Sequence, residues 1–291
     1  MYNSIITDQV DQDLEKALSI IQKNGYKAIE LHNVFSKSIE SCSNEEVYQI
    51  RDLLDVYSMK VSNISSTIFF LCPLYEKDQV SLFNDTFHAV YGTVEDHLNF
   101  LKRACWIANV LGCPRIRLFP FRFPDNRKPP FGIKEDRDRI MDALQKAVSI
   151  AKAQDVTLVL ENCPYSHLPK GQMTYEVVKM INEDHLRLLW DPGNSYRAIK
   201  ENVPHEYLEI SLLEELDQIY PYIDHIHIKD YHYVSNLKKP FVHKAFGSGD
   251  IDYASLFDSL KEHGYDKALS LEPEVSFEET LQSMERLKKR F

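Results

Sequence analysis

No apolar run in the sequence approaches the length of about 20 residues that a bilayer-spanning helix needs, so a membrane-embedded chain is not expected. The opening Met1-Tyr2-Asn3-Ser4 lacks the basic and apolar regions of a secretory leader, which points to a soluble, cytoplasmic protein. Cysteine is sparse. Cys42, Cys72, Cys105, Cys113 and Cys163 are odd in number and scattered, with no C-x-x-C pair, so a zinc knuckle or a disulfide framework is not expected; reduced thiols filling apolar space are. Cationic excess is missing as well: 34 Lys and Arg stand against 44 Asp and Glu, a formal charge of −10, and no basic run offers a nucleic-acid footprint. Neither G-x-G-x-x-G nor a P-loop occurs, and Gly247-x-Gly249 is too short to stand for either. With no linker and no break in composition, residues 1–291 read as one domain.

Against these absences, Ile223-Asp224-His225-Ile226-His227-Ile228-Lys229-Asp230 alternates apolar and polar side chains, as a strand does. The alternation places His225 and His227 on one side and the isoleucines on the other. A lone histidine is more often structural than a ligand, but three other apolar runs end on a carboxylate: Val156–Glu161, Leu186–Asp191 and Ala268–Glu272. A buried strand does not finish on an anion unless something there neutralises it.

Taken in order, Ser4–Thr7 reads as a first strand, and residues 11–24 as a helix with Leu14, Ala17, Leu18 and Ile21 inward, stopped by Gly25. Ala28–Leu31 and Val61–Ile64 are the next strands, flanking a helix that the capping box Ser43-x-x-Glu46 starts. Residues 65–92 form an aromatic-rich excursion with Phe69, Phe70, Tyr75, Phe83 and Phe87. It is too long for an ordinary connection and reads as a lid or wall over a site, or equally as an ordinary surface insertion or an oligomer contact. Thr93-x-x-Asp96 opens a helix with Leu98, Leu101, Cys105 and Ala108 on one stripe; Arg115–Phe119 is the fourth strand. Arg122, Arg127 and Lys128 in the proline-rich loop 120–132 could meet a phosphate, although solvated loop charges are commoner. Helices over 134–154, after Gly171 and over 209–219, and two more after Gly249 and from Ser276-x-x-Glu279, separate the remaining strands. Eight strands alternating with helices favour a single (β/α)8 TIM barrel, in which sites lie at the C-terminal strand ends. Glu161, Asp191, His227 and Glu272 occupy those ends on strands five to eight.

Three carboxylates and one imidazole converging on a common mouth call for a cation among them. Oxygen-rich ligation with one nitrogen suits Mn²⁺ or Mg²⁺ best, with Co²⁺, Fe²⁺ or Zn²⁺ as alternatives. His225, lower on the same strand, is expected to support the centre by hydrogen bonding instead of acting as a fifth ligand.

The blocks Leu160-Glu161-Asn162, Trp190–Asn194, His225–Asp230, Gly247–Asp252 and Leu271-Glu272-Pro273 resemble, in order, the sugar phosphate isomerase/epimerase family of xylose isomerase-like barrels. The resemblance covers essentially the whole chain and is strongest over 156–274. It implies a divalent metal held by Glu161, Asp191, His227 and Glu272. It also implies isomerisation or epimerisation of a sugar, sugar phosphate or keto-polyol through a metal-bound enediolate, with Glu161 and Glu272 as acid and base. The chemistry agrees, because a carboxylate that binds metal through one oxygen leaves the other free to take a proton. Ketohexose 3-epimerases carry a substrate-binding His three residues after the metal Asp, where this chain has Asn194, and an Arg shortly after the metal His, where it continues Lys229-Asp230-Tyr231-His232. Free ketohexose is therefore not the expected substrate. Asn194, Lys229, His167, Arg197 and His243 are further candidates for contact with the carbohydrate; Lys229 could stabilise the enediolate or pair with an acid inside the barrel.

Three rival readings remain. A dehydratase of a cyclic keto-polyol, such as an inosose or dehydroshikimate, would begin with the same proton abstraction. An apurinic-site endonuclease would need histidines after strands three and four, where the chain has Ser65-Ser66 and Phe119-Pro120. A non-catalytic binding protein would keep the barrel without needing all four ligand types. No nucleic-acid or membrane partner is expected, and a homo-oligomer is left open.

Overall fold

The computed structural model describes residues 1–82, 87–199 and 203–290. Eight parallel strands, β1 (Tyr2–Ile5), β2 (Ala28–Leu31), β3 (Lys60–Ile64), β4 (Arg115–Leu118), β5 (Thr157–Glu161), β6 (Leu186–Trp190), β7 (Ile223–Ile228) and β8 (Ala268–Leu271), form one sheet in the order β1-β8-β7-β6-β5-β4-β3-β2. A parallel bridge between Ile6 and Glu30 brings the two ends together, so the sheet closes into a (β/α)8 barrel.

Closure follows from the sequence of the strands. Each is short and almost wholly buried, with Ile, Leu and Val on the face that meets the surrounding helices. Such strands need cover on both sides, and the outer cover comes from α1 (Leu14–Lys23), α2 (Asn44–Tyr57), α3 (Val94–Val110), α4 (Lys134–Ala153), α5 (Gly171–Ile181), α6 (Leu212–Ile219), α7 (Tyr253–Glu262) and α8 (Phe277–Lys288). The expected stripes are the buried ones: Leu14, Ala17, Leu18 and Ile21 on α1, and Leu98, Leu101, Cys105 and Ala108 on α3. Capping boxes close the N-termini of α2, α3, α6 and α8, each holding backbone N–H groups that would otherwise lack partners. All five cysteines are buried free thiols. No helix among the described residues is long and apolar enough to cross a membrane.

Two element boundaries at this level of the fold differ from expectation. β1 ends at Ile5, because its partner β8 stops at Leu271, and Thr7–Gln9 turns as a 3-10 helix at the barrel mouth. The helix expected over 209–219 starts only at Leu212, because Ser211 caps it, and a separate short helix, His205–Leu208, precedes it. In the excursion after β3, Ile68–Cys72 is buried: Phe69 stacks on Phe121 at 4.8 Å, and Phe70 packs against Phe119 and Phe87. Phe83 lies outside the described residues.

Beyond β7 the chain forms a hairpin, Asp230–Tyr233 with Phe241–Lys244. The Gly247–Asp252 block then explains itself structurally. Asp230 Oδ2 accepts from the N–H groups of Gly247 and Gly249 at 2.9 and 3.0 Å, tying the turn to the end of β7. A Cβ on Gly249 would lie 2.1 Å from Asp230 Oδ1, so only glycine fits there.

Candidate functional site

The C-terminal strand ends deliver Glu161 from β5, Asp191 just after β6, His227 from β7 and Glu272 just after β8. One ligand atom from each of the four lies within 4.8 Å of one from every other. His227 Nδ1 is 2.8 Å from Glu272 Oε2 and 3.5 Å from Glu161 Oε1. Asp191 Oδ1 accepts from the Asn194 N–H and so caps the helical turn Pro192–Tyr196, which leaves Oδ2 to face the cluster. Asp191 Oδ2, His227 Nδ1 and Glu272 Oε2 are buried and have no hydrogen-bond partner among the described residues; the short approaches between them lack hydrogen-bond geometry. Buried, unsatisfied donor atoms of this kind, three oxygen ligands and one nitrogen, fit a divalent cation.

Lys229, the residue after β7, supplies part of the positive charge. Its Nζ lies 2.8 Å from Glu272 Oε2, 3.3 Å from Asp191 Oδ2 and 3.2 Å from Glu274 Oε1. Burial pushes the ammonium down, but these carboxylates overrule it and hold it well above its ordinary range. Burial likewise raises Glu272, and Lys229 and His227 outweigh it, keeping the carboxyl well below the usual range. For Asp191 burial wins over Lys229, and the carboxyl is pushed up to about 6. Burial pushes His227 down, while Glu30, Glu272 and Glu161 draw it well above an ordinary imidazole.

Sequence reasoning missed two of the groups that hold this cluster. Glu30 on β2 is fully buried beneath it and bridges both histidines, with Oε1 2.5 Å from His225 Nε2 and Oε2 3.2 Å from His227 Nε2. His225 thus takes the supporting place expected of it. The clue to Glu30 was present, since Ala28-Ile29-Glu30-Leu31 is another apolar strand carrying a carboxylate. Arg117 on β4 is also buried. Its Nη1 donates to Glu161 Oε2 at 3.1 Å, and its Nε and Nη2 donate to the carbonyls of Ser66 and Ser65. Burial raises the Glu161 carboxyl, and Arg117 and His227 bring it below its usual range. Glu161 Oε2 thus accepts from Arg117, while Oε1 accepts from Asn194 Nδ2 at 3.2 Å.

Above the cluster opens a cavity of about 210 Å³. That is below the roughly 300–1,000 Å³ of pockets for drug-sized ligands and suits a small molecule. Phe70, Phe87 and Phe119 form an apolar wall, and Asn194, Arg197 and Lys229 present polar groups to the same space. Arg197 is held by the hydroxyls of Tyr165 and Tyr231 at 3.0 and 3.2 Å. Two expected contacts do not line this cavity. His167 is fully buried, its Nδ1 paired with Asp136 at 3.0 Å, because its loop folds back onto α4. His243 sits on the hairpin against the Tyr231 ring, 3.5 Å from Glu274. The loop cations are engaged too: Arg127 pairs with Asp136 at 3.0 Å and Arg122 with Asp125 at 3.1 Å.

A family model described as xylose isomerase-like TIM barrel matches residues 18–290. The chain belongs to that family. Among solved members of similar fold are a D-allulose 3-epimerase from Methylomonas sp. in complex with D-allulose (15% identity, TM-score 0.72, covering 100% of this chain and 97% of that one) and an IOLI protein with a bound zinc atom (18%, 0.71, 100% and 97%). A probable 3-DHS dehydratase from Bacillus anthracis is similar over the full length of both chains (15%, 0.70). At such identities the likeness is one of fold. An uncharacterized protein of Methanocaldococcus jannaschii is 29% identical over 143 residues, 48% of this chain and 44% of that relative, so the match spans less than half the relative's length. Within a xylose isomerase-like barrel, Glu161, Asp191, His227 and Glu272 stand at the strand ends where this architecture builds its sites.

Proposed function

We propose that the protein is a divalent-metal-dependent isomerase or epimerase of a small sugar or keto-polyol, in which Glu272 takes a proton from the carbon beside a carbonyl. The observation that carries this reading is the set of buried, unsatisfied ligand atoms on Asp191, His227 and Glu272, closed by Glu161, under a small polar cavity. Glu161, Asp191, His227 and Glu272 would hold the ion, with Mn²⁺ or Mg²⁺ the best match to three oxygens and one nitrogen. When bound, such an ion polarises a carbonyl and stabilises negative charge developing on its oxygen.

The chain's own residues do the rest. Glu272 stays ionised beside Lys229 and His227, which is the form a base requires. It removes the proton; the C–H electron pair moves into a new C=C bond, and the carbonyl π pair settles on oxygen as an enediolate. The Lys229 ammonium lies against Glu272 and is placed to balance that charge. Arg117 and Asn194 orient Glu161 as a ligand. In isomerisation Glu272 returns the proton to the neighbouring carbon while the adjacent hydroxyl proton passes to the former carbonyl oxygen; epimerisation would instead need a proton delivered to the opposite face of the same carbon. Phe70, Phe87 and Phe119 keep water from one side of the reacting carbons.

The fold is shared with an epimerase of D-allulose and with a zinc-binding protein, which supports a carbohydrate substrate and a divalent ion. The test is incubation with Mn²⁺ in deuterium oxide across ketopentoses, ketohexoses, keto-polyols and their phosphates. Deuterium next to the carbonyl with the wild type and none with Glu272→Gln is expected; no incorporation from any of them would overturn the reading.

Dehydration is the second reading, favoured by the 2.8 Å approach of Lys229 to Glu272. The ammonium could protonate a departing β-hydroxyl, so that water leaves and a conjugated enone forms. Ultraviolet enone absorbance growing in step with loss of substrate distinguishes it from isomerisation.

A further inference from the structure

We infer that Glu30 is a positioning residue for the metal centre: its carboxylate keeps the His227 proton on Nε2, so that Nδ1 is the nitrogen left to give its lone pair to the ion that Glu161, Asp191 and Glu272 would share. This rests on the reading of those four residues as metal ligands.

The geometry ties Glu30 to both histidines. It is fully buried on β2, and four donors surround its two oxygens. Oε1 takes His225 Nε2 at 2.5 Å; Oε2 takes His227 Nε2 at 3.2 Å, Asn63 Nδ2 at 2.9 Å and the Ser65 hydroxyl. Only an ionised carboxylate accepts from four donors at once, since an amide has one accepting oxygen and would turn an N–H group toward at least one of them. With Nε2–H committed to Glu30, the other ring nitrogen of His227 is the one that faces the carboxylate cluster, 2.8 Å from Glu272. A carboxylate behind a ligating imidazole fixes the tautomer and the ring orientation and raises the basicity of the donor nitrogen.

Glu30, His225 and His227 are close enough to be mistaken for a second ion site. The 2.5 Å between Glu30 Oε1 and His225 Nε2 is a hydrogen-bond length, closer than two ligands of a tetrahedral ion about 2 Å from each would stand. His225 instead locks the second oxygen of Glu30 and stops the carboxylate from turning away from His227.

The test is titration of metal-free wild type, Glu30→Gln and Ser65→Ala with Mn²⁺ and Zn²⁺, joined to ¹⁵N histidine spectra of the zinc-loaded proteins. Glu30→Gln is expected to weaken binding about 10–100-fold, and a downfield, slowly exchanging Nε2–H signal of His227, expected in wild type, should shift or vanish in the variant. Ser65→Ala removes one donor but leaves the His227 bond, so its affinity and its His227 signal are expected to match wild type. Unchanged affinity and signal in a folded Glu30→Gln overturn the inference and leave the functional reading standing. If Glu30→Gln does not fold, the zinc-loaded wild type decides: a proton on Nδ1 of His227, with the ion on Nε2, overturns the inference. Wild type that binds neither ion strikes the functional reading, and this inference with it.

Discussion

Arg117 Nη1 donates to Glu161 Oε2 at 3.1 Å, and both side chains are almost fully buried inside the barrel, 1% and 2% exposed. The pair ties β4 to β5 at the level of the candidate metal centre and fixes which oxygen of Glu161 can face it. Breaking a buried pair by removing one partner strands a charge in low dielectric. Arg117→Met is therefore expected to lower stability by about 3–5 kcal/mol, with part of the loss restored by Mn²⁺. Urea unfolding with and without the ion measures both.

The two glutamates are expected to separate in their effects. Glu272→Gln removes the proposed base and should cut deuterium exchange about 10²–10⁴-fold at saturating Mn²⁺. Glu161→Gln loses a charged ligand and should act mainly by raising the Mn²⁺ concentration needed for half-maximal exchange. Exchange rates measured across a Mn²⁺ series decide between this division and an equal role for both.

Removal of the ion should cost stability, because the four ligands come together only in the folded chain. At a free Mn²⁺ concentration 100 times its Kd, linkage gives about 2.7 kcal/mol, seen as a Tm several degrees higher than in chelator. A Tm that ignores Mn²⁺, Mg²⁺, Co²⁺ and Zn²⁺ alike would count against the site.

Gly193 lies against the site from below. A Cβ there would come within 2.9 Å of both the Cβ and the carbonyl oxygen of Lys229, and 3.2 Å from Asp191 Oδ1. Gly193→Ala is expected to destabilise by about 1–3 kcal/mol and, by displacing Lys229 and Asp191, to weaken Mn²⁺ binding. Retained affinity in a folded Gly193→Ala would show that the site has slack.

Acid sensitivity has a source at the opposite end of the barrel, where Asp224 on β7 pairs with Arg115 and Lys267. Burial raises the Asp224 carboxyl, but Arg115 and Lys267 prevail and hold it below its usual range. A folded value below the unfolded one means that the group adds stability above the unfolded pKa of about 3.9, and loses it as pH falls through the folded value. The stability gap between wild type and Asp224→Asn should therefore be full near pH 6 and shrink below about pH 4. Denaturant midpoints across that range check it.

The eight-strand alternation and the four strand-end side chains of the candidate site were legible because periodicity and burial leave a mark within each segment. Apolar runs that finish on Glu161, Asp191 and Glu272 contradict their own surroundings, and that contradiction can be read without a partner in view. The same rule would have found Glu30, whose carboxylate interrupts β2, had interior positions been weighed as well as final ones. Arg117 passed as one of two arginines in Arg115-Ile116-Arg117, and nothing local separates the one that pairs with Asp224 from the one that holds Glu161. His167 misled for the opposite reason: it follows β5 in sequence, but its loop folds back until the ring meets Asp136.

By itself, then, the sequence determined the order of strands and helices, the residue types gathered at one end of the barrel, and the acidic balance of the chain. Those properties belong to single residues and their near neighbours. Only the tertiary structure decided which oxygen of Glu161 is taken, which nitrogen of His227 faces the carboxylates, and which cations meet the cavity. Each depends on groups from strands far apart in the chain, Glu30 with His227 and Arg117 with Glu161, and closure of the barrel alone brings them within hydrogen-bonding distance.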